Sequence, residues 1–211
     1  MSVHGTDSAT GLDTSDYENE PEMRDVFDVA VRVKAALQAA GYKVYLTKSS
    51  ADDPANLGER AYLANDVNAD LALSIHDQAG SNGGLAFSSS NNNVYYQAVG
   101  DYRVNPAGHK VTFEDSAVAA VSKKYGEIFR NERQSVENHP VRLLSNTGYD
   151  LGSRGLQAGD IWIVQLLSHV PWIYNEAGGN SAGMSGLNST DRQTYANGIV
   201  AGVEHCIAPP K

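Results

Sequence analysis

Helix-like and strand-like segments alternate along the first third of this chain, and that rhythm restricts its fold more than any other feature. From Asp25 to Ala40 apolar residues recur at Val26, Ala30, Val33 and Leu37, the spacing of an amphipathic helix. Gly41 follows, a residue suited to the left-handed turn that closes a helix. Tyr42–Thr47 alternates and is rich in β-branched and aromatic residues, which predicts a strand. A second helix starts at Asp53-Pro54, with Leu57, Ala61, Ala64 and Val67 on one face. Leu71–Ile75 is then a short unbroken apolar run, the pattern of a strand buried on both faces. Such repeats predict an α/β fold: a twisted, mostly parallel sheet flanked by helices.

The rhythm breaks over residues 79–113, where Gly, Ser and Asn predominate. Short strand-like pieces at Leu85–Phe87 and Val94–Tyr96 fit a long loop or a hairpin there. Glu114–Arg133 is helical in pattern, with Val118, Val121, Tyr125 and Phe129 on a face and Asp115 or Ser116 as cap. Leu143–Gly159 is loop-rich, Ile161–Leu167 is apolar, and Pro171–Tyr174 predicts another buried strand. Gly178–Gly186 is a loop of small residues, and Thr190–Ile207 closes the chain as a helix through Tyr195, Ile199 and Val203. No repeat or low-complexity linker divides the 211 residues. The expectation is one domain spanning 1–211, long enough to bury a sizeable core.

Charge and composition exclude several functions. The formal charge is −9, and Lys123-Lys124 is the densest basic pair. Nucleic-acid binding relies on basic clusters that release counterions, so no nucleic-acid partner is expected. No apolar run approaches the roughly 18 residues of a membrane span, and no signal peptide stands in these residues. A single cysteine, Cys206, rules out a disulfide framework within the chain and a cysteine-based metal site.

Chemistry-bearing residues sit where open α/β sheets place ligands, beyond the carboxyl ends of strands. His76 ends the first buried run and Glu176 the second. A lone strand-end histidine is more often a hydrogen-bonded structural residue. A charge ending a buried strand costs on the order of several kcal/mol unless it is paired. Glu22 lies at the start of the first helix, where a carboxylate favours the positive end of the dipole; Glu18, Glu20 and Asp25 compete for that role. His4 lies in a loop-like Gly-Thr-Asp-Ser context. Two imidazoles and one carboxylate are the usual ligands of a hydrolytic zinc site, which leaves a position for water. The metal makes that water a nucleophile near neutral pH, and a second carboxylate can take and return its proton. Glu176 suits the second task. His109, His139, His169 and His205 remain available as other ligands.

Two long motifs choose among these. The stretch LGERAYLANDVNADLALSIHDQAG, Leu57–Gly80, resembles a pattern of zinc-dependent N-acetylmuramoyl-L-alanine amidases of the amidase-3 type, with Arg60, Ala64, Asn65, Ala69, Asp70, Ser74 and His76 in register. The stretch SRGLQAGDIWIVQLLSHVPWIYNEAGG is similar to a second pattern of that family, with Arg154, Gly155, Pro171, Glu176 and Gly178 in register. The similarity covers nearly the whole chain. It implies a zinc ion held by His4, Glu22 and His76, with Glu176 as general base and Arg154 contacting substrate or bracing Glu176. The family's helix register carries the metal glutamate to Glu22 rather than to Glu18, Glu20 or Asp28. The implied substrate is peptidoglycan, cut between N-acetylmuramic acid and L-alanine of the stem peptide. The implied location is the cell envelope or the exterior.

Some positions depart from the family pattern. Met-Ser-Val replaces the Asp-Pro-Gly before the first histidine, and the strand that normally leads into it is nearly absent. Asp77-Gln78 follows His76 where Ala-Asn is usual, and Gly179 replaces an aromatic after Glu176. The expectation is a comparatively open cleft, or one partly covered by a loop bearing Tyr95, Tyr96 and Tyr102. Two other readings compete: a catalytically weak or inactive cell-wall binding module of this fold, and a zinc peptidase cutting within the stem peptide.

Overall fold

A computed structural model describes residues 5–16, 20–77, 92–144, 161–177 and 187–209. Among these residues, five helices and six strands follow in the order α1 (Glu20–Ala39), α2 (Leu57–Asp66), β1 (Ala72–Asp77), β2 (Asn93–Tyr96), β3 (Tyr102–Val104), β4 (Lys110–Thr112), α3 (Ser116–Glu137), β5 (Arg142–Leu144), α4 (Ile163–Leu166), β6 (Trp172–Ala177) and α5 (Ser189–Cys206). The main sheet has the order β1-β6-β2-β5. The pairs β1–β6 and β2–β5 are parallel and β2–β6 is antiparallel. The mixed α/β architecture, mostly parallel, is the one the sequence predicts.

Local chemistry explains where the elements begin. Asn56 caps α2 in a reciprocal box: its side chain accepts from Glu59 N, and Glu59 Oε2 accepts from Asn56 N. This closes two otherwise unpaired amides at the helix start. Asp115 and Asn188 cap α3 and α5 in the same one-sided way, each accepting two backbone amides. Gly41 leaves α1 at φ 94°, a conformation that favours glycine.

Central strand β6 is buried at all six positions, whereas β1 is only partly buried at its four middle residues. The reason is topological. β6 has a neighbour on each side, while β1 pairs among the described residues with β6 alone. One face of the sheet carries Val94, Ile173 and Ala177, packed with Val29, Val33 and Leu37 of α1, Phe129 of α3 and Tyr195, Ile199 and Val203 of α5. A second cluster joins α2 and α4 around Ala61, Ala64, Ile163, Val164 and Trp172.

Helices α3 and α5 approach closely because α5 presents glycines to α3. A Cβ on Gly198 would lie 2.8 Å from Glu137 Oε1, and one on Gly202 would lie 2.7 Å from the Phe129 ring. Cys206 ends this contact, its Sγ 4.0 Å from Tyr125 O. Burial, with Glu132 adding to it and Lys124 opposing, pushes the Cys206 thiol up to about 12. Only the thiolate attacks alkylating agents. At pH 8 the folded chain is therefore expected to react with iodoacetamide about three orders of magnitude more slowly than the urea-unfolded chain. Comparable rates by mass spectrometry would show that the thiol is not sequestered.

Several elements differ from expectation. Tyr42–Thr47 has the composition of a strand but forms no ladder among the described residues. Helix α1 begins at Glu20, before its apolar pattern does, which places Glu22 in the first turn. β5 falls in a stretch that reads as loop, because three residues are too few to show a period. Tyr95 and Tyr96 belong to strand β2 rather than to a covering loop, and Tyr95 is fully buried. Tyr102 opens the β3–β4 hairpin. The Leu85–Phe87 piece lies outside the described residues.

Candidate functional site

The site begins with the parallel pairing of β1 and β6. Register places His76 directly beside Glu176. Both side chains therefore leave the same face of the sheet at the carboxyl ends of neighbouring strands. Tyr174, two residues before Glu176, lies on that face as well. Its ring stacks on the His76 imidazole at 4.4 Å with 8° between the planes. Trp162, the residue before α4, stacks on the other side of Tyr174 at 4.2 Å. Tyr95 meets Tyr174 edge-on at 5.6 Å. This aromatic stack leaves the imidazole few rotamers.

Glu22 comes from the opposite direction. The first turn of α1 carries it over the end of β1, where Oε1 lies 2.9 Å from His76 Nδ1. Both groups keep an opening to solvent: the side chains are 33% and 21% exposed. Burial favours a neutral imidazole, but the hydrogen bond and charge of Glu22 outweigh it, helped by Glu176 and Asp16. The net effect raises the His76 pKa. The site is thus electronegative and suited to a cation.

Glu176 is buried, and its backbone is tied from behind. Arg133 of α3 donates to Glu176 O at 3.1 Å and to Asn93 O at 3.0 Å. The Arg133 guanidinium also lies 4.5 Å from the Tyr195 ring centre. Tyr195 in turn donates its hydroxyl to His76 O at 3.2 Å. One buried cation and one buried phenol thus hold the main chain at both strand ends.

Asp77 lies next to this set but on the other face of β1. It is buried, and among the described residues neither carboxylate oxygen has a hydrogen-bond partner. Burial, with the charges of Glu22, Asp25 and Glu176, pushes it up to about 8, against Arg192. A neutral carboxyl is the form such surroundings favour. Asp16 and Arg60 line one cavity together with Glu22 and His76 and pair with each other, and Arg60 also donates to Ala55 O at 2.8 Å.

Of the residues the sequence picks out, the structure brings Glu22, His76 and Glu176 together. His4 and Arg154 lie outside the described residues. Among the described residues no three His, Cys, Asp or Glu side chains form a metal-holding group. Sequence reasoning missed Trp162, Tyr174, Asp16 and Asp77. Trp162 and Tyr174 read there as parts of apolar runs, and only their stacking distinguishes them from core. Arg60 was visible as a motif position, but its partner Asp16, 44 residues earlier, was not.

The N-acetylmuramoyl-L-alanine amidase family model matches residues 4–205. The chain belongs to that family. A family of peptidoglycan amidases is consistent with a site that sets His76 and Glu176 side by side at strand ends and brings Glu22 to His76 from the first turn of α1. A similar fold is found in Cwp6 from Clostridium difficile, at 18% identity and a TM-score of 0.60, over 97% of this chain. This chain spans 27% of the length of that one. The curated proteins contain no match to the chain. Among the described residues no helix is long and apolar enough to cross a membrane.

Proposed function

We propose that this chain is a zinc-dependent amidase that hydrolyses the bond between N-acetylmuramic acid and the L-alanine of the peptidoglycan stem peptide. The observation that carries the reading is the convergence of Glu22, His76 and Glu176 from three elements in a family member. His76 and Glu22 offer a nitrogen and an oxygen donor 2.9 Å apart, a donor set that suits zinc. His4 is the third ligand in this reading. Zinc, when bound, acidifies water and polarises a carbonyl. Glu22 and the Tyr174 stack orient the imidazole. Glu176 takes the proton of the attacking water and returns it to the leaving L-alanine nitrogen. Arg154 contacts the substrate or braces Glu176. The site of action is then the cell envelope or the exterior, and the whole domain, residues 1–211, is the catalytic unit.

Digestion of purified peptidoglycan tests this. Mass spectrometry is expected to show intact stem peptides with free L-alanine amino termini. A chelator should reduce turnover at least a hundredfold, and added zinc should restore it. Stem peptides cut internally would instead indicate a peptidase. No turnover after zinc loading, with binding to the wall retained, would indicate a binding module.

A further inference from the structure

The β3–β4 hairpin divides its residues between two faces. Strand side chains alternate, and the register sets Arg103 opposite Val111. Tyr102, Val104 and Lys110 leave the other face, where Lys110 Nζ lies 3.9 Å from the centre of the Tyr102 ring and Val104 is exposed. Val111 packs against the cluster of α2 and α4, so the face it shares with Arg103 turns inward. An arginine on an inward face needs a partner for its charge. Arg103 is half-buried, yet among the described residues it has no ion pair and no side-chain hydrogen bond. It lines the cavity of about 910 Å³ that Glu22 and His76 also line. Arg60, which lines it as well, is already paired with Asp16.

The hairpin is tied down beside the candidate site. Ile161 N donates to Tyr102 O at 3.1 Å, and Asn105 Nδ2 donates to Thr10 O at 3.0 Å. Arg103 and Trp162 are thus the residues that follow the two ends of one backbone hydrogen bond. From Trp162 two stacking steps, 4.2 Å to Tyr174 and 4.4 Å on to His76, lead to the end of β1. An extended peptide spans at most about 3.6 Å per residue, so two residues cover most of that path. A substrate cut beside His76 therefore brings the second residue of its leaving peptide to Trp162 and Arg103.

Substrate chemistry decides what Arg103 meets there, a step that rests on the amidase reading of the site. In a muramyl peptide the lactyl carboxyl is consumed by the scissile amide, and the sugar is otherwise neutral. The stem residue after L-alanine is D-glutamate, joined onward through its side-chain carboxyl. Its α-carboxylate is therefore the first free anion beyond the cut. Around His76 the charges of Glu22, Glu176 and Asp16 repel an anion. Arg103 offers it a guanidinium, which matches a carboxylate with two parallel N–H···O bonds. We propose that Arg103 is a specificity residue that binds the free α-carboxylate of the stem's D-glutamate. An α-amide at that position leaves the cation unpaired.

The test compares N-acetylmuramoyl-L-alanyl-D-glutamate with its α-amide, the D-isoglutamine compound, on the zinc-loaded whole chain. The acid should have a kcat/KM about tenfold higher, the worth of one charge-assisted hydrogen bond. Arg103→Gln should bring the ratio near one, chiefly by raising KM for the acid, and Arg103→Lys should keep part of it. Titration calorimetry of the same two compounds should show the same preference in Kd. No turnover of either compound, with a Kd preference that Arg103→Gln removes, would overturn the amidase reading and uphold the carboxylate site. Equal values for acid and amide, no binding of either, or a preference that survives in Arg103→Gln would overturn the proposal. A preference that appears only with a tripeptide carrying its free carboxylate on the third residue would assign Arg103 to that residue and overturn it as well.

Discussion

Glu137→Ala is expected to cost about 3–5 kcal/mol of folding stability, the range for removing one partner of a buried ion pair. Arg133 and Glu137 both have fully buried side chains and meet through two contacts, Nε to Oε1 at 2.7 Å and Nη2 to Oε2 at 3.2 Å. Burial opposes the Arg133 charge, but Glu137 outweighs it and keeps the guanidinium protonated. Arginine cannot discharge itself by losing a proton at ordinary pH. The variant would therefore hold an uncompensated cation in the core. A typical domain has about 5–15 kcal/mol in total, so this one change brings the fold close to its limit. The double variant Arg133→Met with Glu137→Met should recover part of the loss, because no charge is then stranded. It should not recover all of it, since Asn93 O and Glu176 O lose their donor. Urea unfolding of the three proteins measures this. A cost below about 1 kcal/mol for Glu137→Ala would mean that water reaches Arg133.

Glu176→Gln is expected to lower kcat by about two to four orders of magnitude, the contribution typical of a positioned general base. Glutamine keeps the shape of the side chain but cannot take a proton. Glu176 lies in the fully buried strand β6, beside His76, so the substitution removes function without removing packing. KM should change little, because the lost interaction belongs to the transition state. Zinc content and thermal unfolding should match the unsubstituted chain. A variant that retains more than a tenth of the rate on muropeptides would place the base elsewhere.

These two residues mark the limits of what pattern alone conveys. Glu176 puts a charge at the end of an apolar run, so its place at the end of a buried strand was legible. Glu137 was not. The helical pattern of α3 suggests a face through Val118, Val121, Tyr125 and Phe129, yet the buried stripe is Ala119, Ser122, Gly126, Phe129, Arg133 and Glu137. Val121 is exposed. Polar residues and a glycine at core positions hide a stripe from any hydrophobic count. Only the neighbouring helix shows why they are there: α5 offers Gly198 and Gly202 and so leaves room for them.

The alternation of helix and strand set the class of fold, because apolar runs buried on both faces require helices above and below a parallel sheet. It did not determine which strands pair. Tyr42–Thr47 has the residues of a strand, but a strand exists only when a neighbour accepts and donates its hydrogen bonds, and the sequence carries no record of that neighbour. The same holds for the site. Helix position brought Glu22 into consideration among several acids, and a motif brought His76. Their contact at 2.9 Å, the aromatic stack behind the imidazole, and the buried arginine behind Glu176 come from elements far apart in the chain. Spacing encodes what one segment prefers; only packing decides what two segments hold between them.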